Sequence, residues 1–160
     1  MSTVFSNLEL IPRNRQGEKL PSGIFKTERA FFDFVIDGIS LHSSMACKYD
    51  LTSVLWINAP VPAEIERCLR RLLLVDPGDL PDDRVSLYVC AECGDLGCGG
   101  ITVDIKVHGD AIVWSEFGYQ NNYDENFYDT DFFQNFGPYH FELNRYRAVL
   151  LSSLPVNRKH

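Results

Sequence analysis

The chain has 160 residues, enough to bury a self-sufficient core as one domain, and a formal charge of −7 from 15 Lys and Arg against 22 Asp and Glu. Its apolar runs fall far short of the roughly 20 residues of a membrane-spanning helix, and its acidity argues against nucleic acid as a partner. Five cysteines, an odd number, and an N-terminal stretch without a basic start and continuous apolar core point to a reduced, cytoplasmic protein rather than a secreted disulfide framework.

Residues 1–30, with "PRNRQGEKLPSG" at their centre, mix basic, polar and turn-forming types and read as an irregular or edge segment. Residues 30–43 read as a β-hairpin. Asp37-Gly38 is a two-residue turn of the kind that needs positive φ at both positions, which sets Ile36 against Ile39 and Phe34 against Leu41. "DLTSVLWIN" is a further strand candidate, with a short helix as its alternative. The period then changes. Over 62–74, Ile65, Leu69, Leu72 and Leu73 recur at helical spacing while Glu64, Glu66, Arg67, Arg70 and Arg71 lie mostly opposite, and "DPGD" ends the helix.

A meander over 85–118 follows. Alternation places Val85, Leu87 and Val89 on one face, and Ile101, Val103, Ile105 and Val107 on one face of the next strand. A His108-Gly109 turn would pair Ile105 with Ile112 and Val103 with Trp114. Residues 119–140 have neither period. A last helix over 143–153, capped near Asn144, turns Tyr146, Val149 and Leu150 inward. This order predicts an α+β single domain with a mostly antiparallel sheet.

Chemistry concentrates in two places. "YVCAECGDLGCGG" holds Cys90, Cys93 and Cys98 in a C-x2-C-x4-C pattern. The first pair closes a knuckle that aims two sulfurs at one point, and a hairpin loop can bring the third alongside, as a zinc site requires. The fourth ligand of a structural site is not evident; Cys47, His42, His108 and His140 are the distant candidates, and Cys68 groups with the helix core. The alternative is no cofactor at all, with the cysteines acting as small, half-buried hydrophobes. A thioredoxin-like motif does not fit, because that thiol pair opens a helix whereas both flanks here are strands. The glycines are not a phosphate cradle either, since no helix or lysine follows. No histidine has a partner at a spacing that implies a catalytic triad, and there is no nucleophile elbow, dinucleotide fingerprint or P-loop, so a non-catalytic protein is expected.

The second concentration lies between Lys106 and Arg145, a span without Lys or Arg. It contains seven acids, equal to the whole net charge, and eleven of the twenty aromatic residues. Acids interleaved with Tyr and Phe suit a surface that docks a basic protein: charge steers the encounter and rings anchor it. Glu116, Asp124, Glu125, Asp129 and Asp131 would supply charge, with Tyr119, Tyr123, Phe127 and Tyr128 as anchors. The alternative is that the rings complete the core while the acids face solvent.

The stretches "YVCAECGDLGCGG" and "VWSEFGYQNNYD" resemble those of a group of small bacterial proteins that share a C-x-x-C-G-D-L-G-C-G loop and a W-x-x-F-G-Y segment. The resemblance covers residues 85–124, with weaker similarity through the helix before them, and implies no particular activity. Small size and acidity are also those of immunity proteins, an analogy of charge and not of motif. The sequence therefore leads to a cytoplasmic immunity protein that occludes a basic toxin or nuclease domain through residues 116–136. The alternative is a zinc-stabilised domain or small enzyme built around the cysteine loop. Oligomeric state is not legible.

Overall fold

The computed structural model describes residues 4–57, 62–80, 82–94, 96–121 and 127–153. Its elements are β1 (Leu8–Arg15), β2 (Glu18–Lys19), β3 (Phe25–Lys26), β4 (Arg29–Ile36), β5 (Ile39–Ser40), β6 (Leu51–Ser53), α1 (Pro62–Leu72), β7 (Val85–Cys90), β8 (Gly100–His108), β9 (Ala111–Gln120), α2 (Thr130–Phe133), β10 (Tyr139–Glu142) and α3 (Leu143–Leu151). The fold is α+β with antiparallel sheets, as the succession of periods predicts.

One sheet runs β1-β4-β5 and another β10-β9-β8-β7-β6, with β2 and β3 as a small separate ribbon. Backbone hydrogen bonds stitch the two larger sheets together. The Phe32 N–H donates to the Leu55 carbonyl and the Ile57 N–H to that of Ala30, both at 2.9 Å, and at the far edges the Ser6 N–H reaches the His140 carbonyl at 2.7 Å. The strands therefore curl around one core. Trp114 sits at its centre against Phe34, Phe117, Phe141 and Tyr146. Its Nε1–H donates to the Tyr146 hydroxyl at 3.1 Å, which donates to the Leu72 carbonyl at 2.7 Å, so one chain of satisfied polar groups ties β9, α3 and the end of α1.

The Asp37-Gly38 turn forms with positive φ at both residues, and Ile36 pairs with Ile39. The hairpin stops there: β5 has two residues, and Leu41 opens a π-helical turn over His42–Ala46 instead of pairing with Phe34. The true partner of β4 is β1, in register from Leu8 opposite Ile36 to Arg15 opposite Arg29. Of the two readings of this stretch, irregular or edge, the structure has the edge strand, where Pro12 is tolerated because a backbone donor is dispensable. Phe32, Phe34 and Ile36 enter the core. On the opposite face, fully buried Asp33 accepts from Arg13 Nε, Ser40 Oγ, the His42 N–H and the Tyr88 hydroxyl at 2.6–3.1 Å.

Two bulges alter the alternation that the sequence suggests. Ser86 pairs with Thr102 but Tyr88 with Ile101, so Leu87 is the extra residue. Leu87 and Tyr88 both enter the main core, while Val89 turns to a separate cluster with Leu80 and Leu96. In the next hairpin the loop is Gly109-Asp110, with positive φ at Gly109, and Ile105 pairs with Trp114. The predicted register moves by one residue on each strand, which preserves the faces but leaves Val107 exposed near the turn. Unforeseen β10 pairs with β9, and Glu142, rather than Asn144, caps α3 by accepting from the Asn144 and Arg145 N–H groups.

Candidate metal centre

Cys90 is the last residue of β7. The Gly94 N–H closes the knuckle on the Cys90 carbonyl at 2.8 Å, a short 3-10 turn spans Leu96–Cys98, and β8 starts at Gly100. Gly94 and Gly99 have φ of +73° and +91°, conformations that let the chain reverse twice within a few residues. The sulfurs of Cys90, Cys93 and Cys98 lie within 4.8 Å of one another, and Cys93 and Cys98 are 3.5 Å apart. That separation is too long for a disulfide, whose sulfurs are about 2.05 Å apart. Three thiols thus converge on one point and can hold a single metal ion.

The loop is braced from outside. Glu92 accepts from Thr27 Oγ1 at 2.6 Å, the Thr27 N–H at 3.0 Å and Arg15 Nη1 at 2.6 Å. The Thr27 hydroxyl and then the Arg15 guanidinium hold its carboxyl at about 2. Arg29 donates to the Ala91 carbonyl at 3.0 Å and stacks over Trp56 at 3.8 Å, and Trp56 passes so close to Gly94 that a Cβ there would lie 2.9 Å from the ring. On the β8 side the Tyr119 hydroxyl donates to the Cys98 carbonyl at 3.3 Å. None of these braces was identified from sequence. The signal for Glu92 was its place inside the C-x2-C knuckle, but Arg15 and Thr27 are remote in the chain and only the β1–β4 pairing brings them there.

Sulfur chemistry differs from site to site. Burial pushes the Cys90 thiol up, yet the backbone N–H groups of Cys93 and Glu92 and the neighbouring thiols donate toward its sulfur, and the balance lowers its pKa. Burial raises Cys68 to about 11, so that residue is a core thiol, as its helical position suggests.

The remote ligand candidates are engaged or distant. His42 Nε2 bonds the Leu51 carbonyl at 3.1 Å, and Cys47 Sγ lies 3.8 Å from the Ser43 carbonyl oxygen. His108 is at the other end of β8, about 26 Å from Gly100 at strand rise. His140 is on β10, three strands across the sheet from β7. Among the described residues no fourth Cys, His, Asp or Glu joins the triad.

The acidic-aromatic residues divide. Tyr123, Asp124 and Glu125 lie outside the described residues. Tyr119 is half-buried and stacked on Tyr49 at 4.3 Å. Asp129 accepts a hydrogen bond from the Tyr49 hydroxyl and faces Lys48 at 3.7 Å, so a base from another part of the chain offsets its charge. Phe127 and Tyr128 are 41% and 42% exposed, and Glu116 and Asp131 are exposed. Phe133 is buried, with Phe132 and Phe136 packed against the core beside it.

Comparison with protein-family models, curated proteins and solved structures finds no match for this chain.

Proposed function

We propose that this chain is a zinc-binding protein whose protein ligands are the thiolates of Cys90, Cys93 and Cys98. The observation that carries the reading is their spacing. A tetrahedral zinc with bonds of about 2.3 Å sets its sulfurs about 3.8 Å apart, which falls between the 3.5 Å of the Cys93–Cys98 pair and the 4.8 Å limit of the triad. Soft thiolates favour zinc over hard cations such as magnesium or calcium. Zinc bound there would supply a fixed positive centre that fastens the end of β7 to the start of β8, with no fourth protein ligand among the described residues. Because ligand binding is then folding energy, a chelator lowers the thermal midpoint of the wild-type protein and zinc restores it. A midpoint indifferent to both overturns the proposal.

A second reading, an immunity protein that docks a basic toxin or nuclease domain, draws on the adjacent exposed rings of Phe127 and Tyr128 beside exposed Glu116 and Asp131. Its test is protection against the product of a neighbouring toxin gene. Phe127→Ala with Tyr128→Ala abolishes protection on this reading, and unimpaired protection removes it.

A further inference from the structure

A cleft of about 750 Å³ opens between the β8–β9 bulge and the segment that follows residue 127, and the cysteine centre does not use it. Arg84 lines it and is itself 7% exposed. Arg84 Nε donates to Thr102 Oγ1 at 3.1 Å and Gln120 Oε1 at 3.0 Å; Nη2 donates to the Thr102 carbonyl and hydroxyl and, at 2.6 Å, to the Glu116 carbonyl. All of these acceptors are neutral. No ion pair among the described residues includes Arg84. Nη1 makes no hydrogen bond with them, and no buried side-chain nitrogen lacks a partner, so Nη1 keeps contact with solvent.

A buried cation in no direct ion pair is costly, since neutral dipoles and the more distant carboxylates of Asp104, Glu116 and Asp82 offset only part of the lost hydration. The surroundings are built around it at further cost. Thr102 pairs with Gly118 and Asp104 with Ser115, so β9 carries one extra residue and bulges, and Glu116 sits at φ +55° with its carbonyl turned to the guanidinium. Phe127 covers the other face of Arg84 at 4.8 Å, in contact with Gly118, where a Cβ would lie 2.5 Å from the ring. One part of the wall is apolar: Phe117, Phe133, Phe136 and Pro138. Asp82, Asp104, Lys106 and Glu116 also line the cleft, and Lys106 pairs with Asp104 at 2.9 Å. The two unpaired acids repel a dianion such as a phosphate more than a monoanion.

We infer that the cleft binds a small organic monocarboxylate, its charge met by Arg84 and its apolar body by Phe117, Phe133 and Phe136. The volume, and an apolar wall facing an oriented guanidinium, are those of a small-molecule site, with further charged groups on the same rim. The test follows the amide shifts of Ser115, Gly118 and Gln134 in wild-type protein titrated with benzoate, neutral benzamide and phenyl phosphate. Benzoate gives saturable shifts at these residues, and benzamide and phenyl phosphate bind at least about tenfold more weakly. Absence of saturable benzoate shifts, equal binding of benzamide, or tighter binding of phenyl phosphate overturns the inference. Arg84→Gln reduces benzoate binding at least about tenfold where it folds; a folded variant that binds like wild type also overturns it. Because Arg84 ties the bulge, the three wild-type titrations decide the matter if that variant does not fold.

Discussion

Gly99→Ala is the substitution whose cost the geometry fixes most closely. A Cβ at this position would stand 2.2 Å from the Tyr119 hydroxyl oxygen and 2.6 Å from Cζ, and the backbone φ is +91°. The conformational part costs about 1–2 kcal/mol for an L-residue. The steric part depends on whether Tyr119 can yield. Its ring is stacked on Tyr49 at 4.3 Å and flanked by Tyr128 at 6.3 Å, so moving it disrupts a packed group and costs about 1–3 kcal/mol. The whole loss is about 2–5 kcal/mol, read from urea unfolding at constant m. In a Tyr119→Ala background the steric part vanishes and about 1–2 kcal/mol is left, giving a coupling of about 1–3 kcal/mol. Equal losses in both backgrounds would refute the claim that Tyr119 holds the cysteine loop against β9.

Three further outcomes follow from other parts of the molecule. Glu92 has a pKa of about 2 in the fold against 4.5 in the unfolded chain, so its stabilising contribution is complete above pH 4.5 and is lost as pH falls from 4.5 to 2. Glu92→Gln therefore flattens that limb of the stability–pH curve, and an unchanged slope would contradict the brace. Iodoacetamide at pH 8, mapped by mass spectrometry, labels Cys90 in the metal-free folded protein and leaves Cys68 unlabelled until denaturant is added; early labelling of Cys68 would count against its burial. Asp33→Ala strands the buried Tyr88 hydroxyl beside a void, while half-exposed Arg13 regains water, and lowers unfolding stability by about 1–3 kcal/mol; a loss below about 0.5 kcal/mol would show that the network contributes little.

How far the sequence reads correctly depends on how local the determining forces are. The Asp37-Gly38 turn and the α1 stripe of Ile65, Leu69 and Leu72 are set by neighbours in the chain, and both appear as predicted. The C-x2-C-x4-C spacing likewise brings three sulfurs together, because knuckle and hairpin lie within one short loop. The edge strand β1 escapes a periodicity reading, since Pro12, Arg13 and Arg15 look like loop residues until Asp33, Asp50 and Glu92 stand beside them. Leu87 and Glu116 mark the same limit. Each bulge depends on the partner strand, and nothing in "RVSLYV" or "WSEFGY" announces one. Arg84 is not legible in the sequence for a related reason: its burial depends on Thr102, Gln120 and Glu116 from two later strands. The span without Lys or Arg is bare only in sequence, for Lys48 and Arg84 approach Asp129 and Phe127 from elsewhere in the fold.

Cobalt titration of the metal-free protein tests the three-thiolate centre most directly. One equivalent of Co²⁺ per chain should produce intense near-ultraviolet sulfur-to-metal charge-transfer absorption, displaced by one equivalent of Zn²⁺ and diminished by replacement of Cys90, Cys93 or Cys98 with serine. Weak bands without a one-to-one end point, or bands that survive the triple serine replacement, would contradict the assignment.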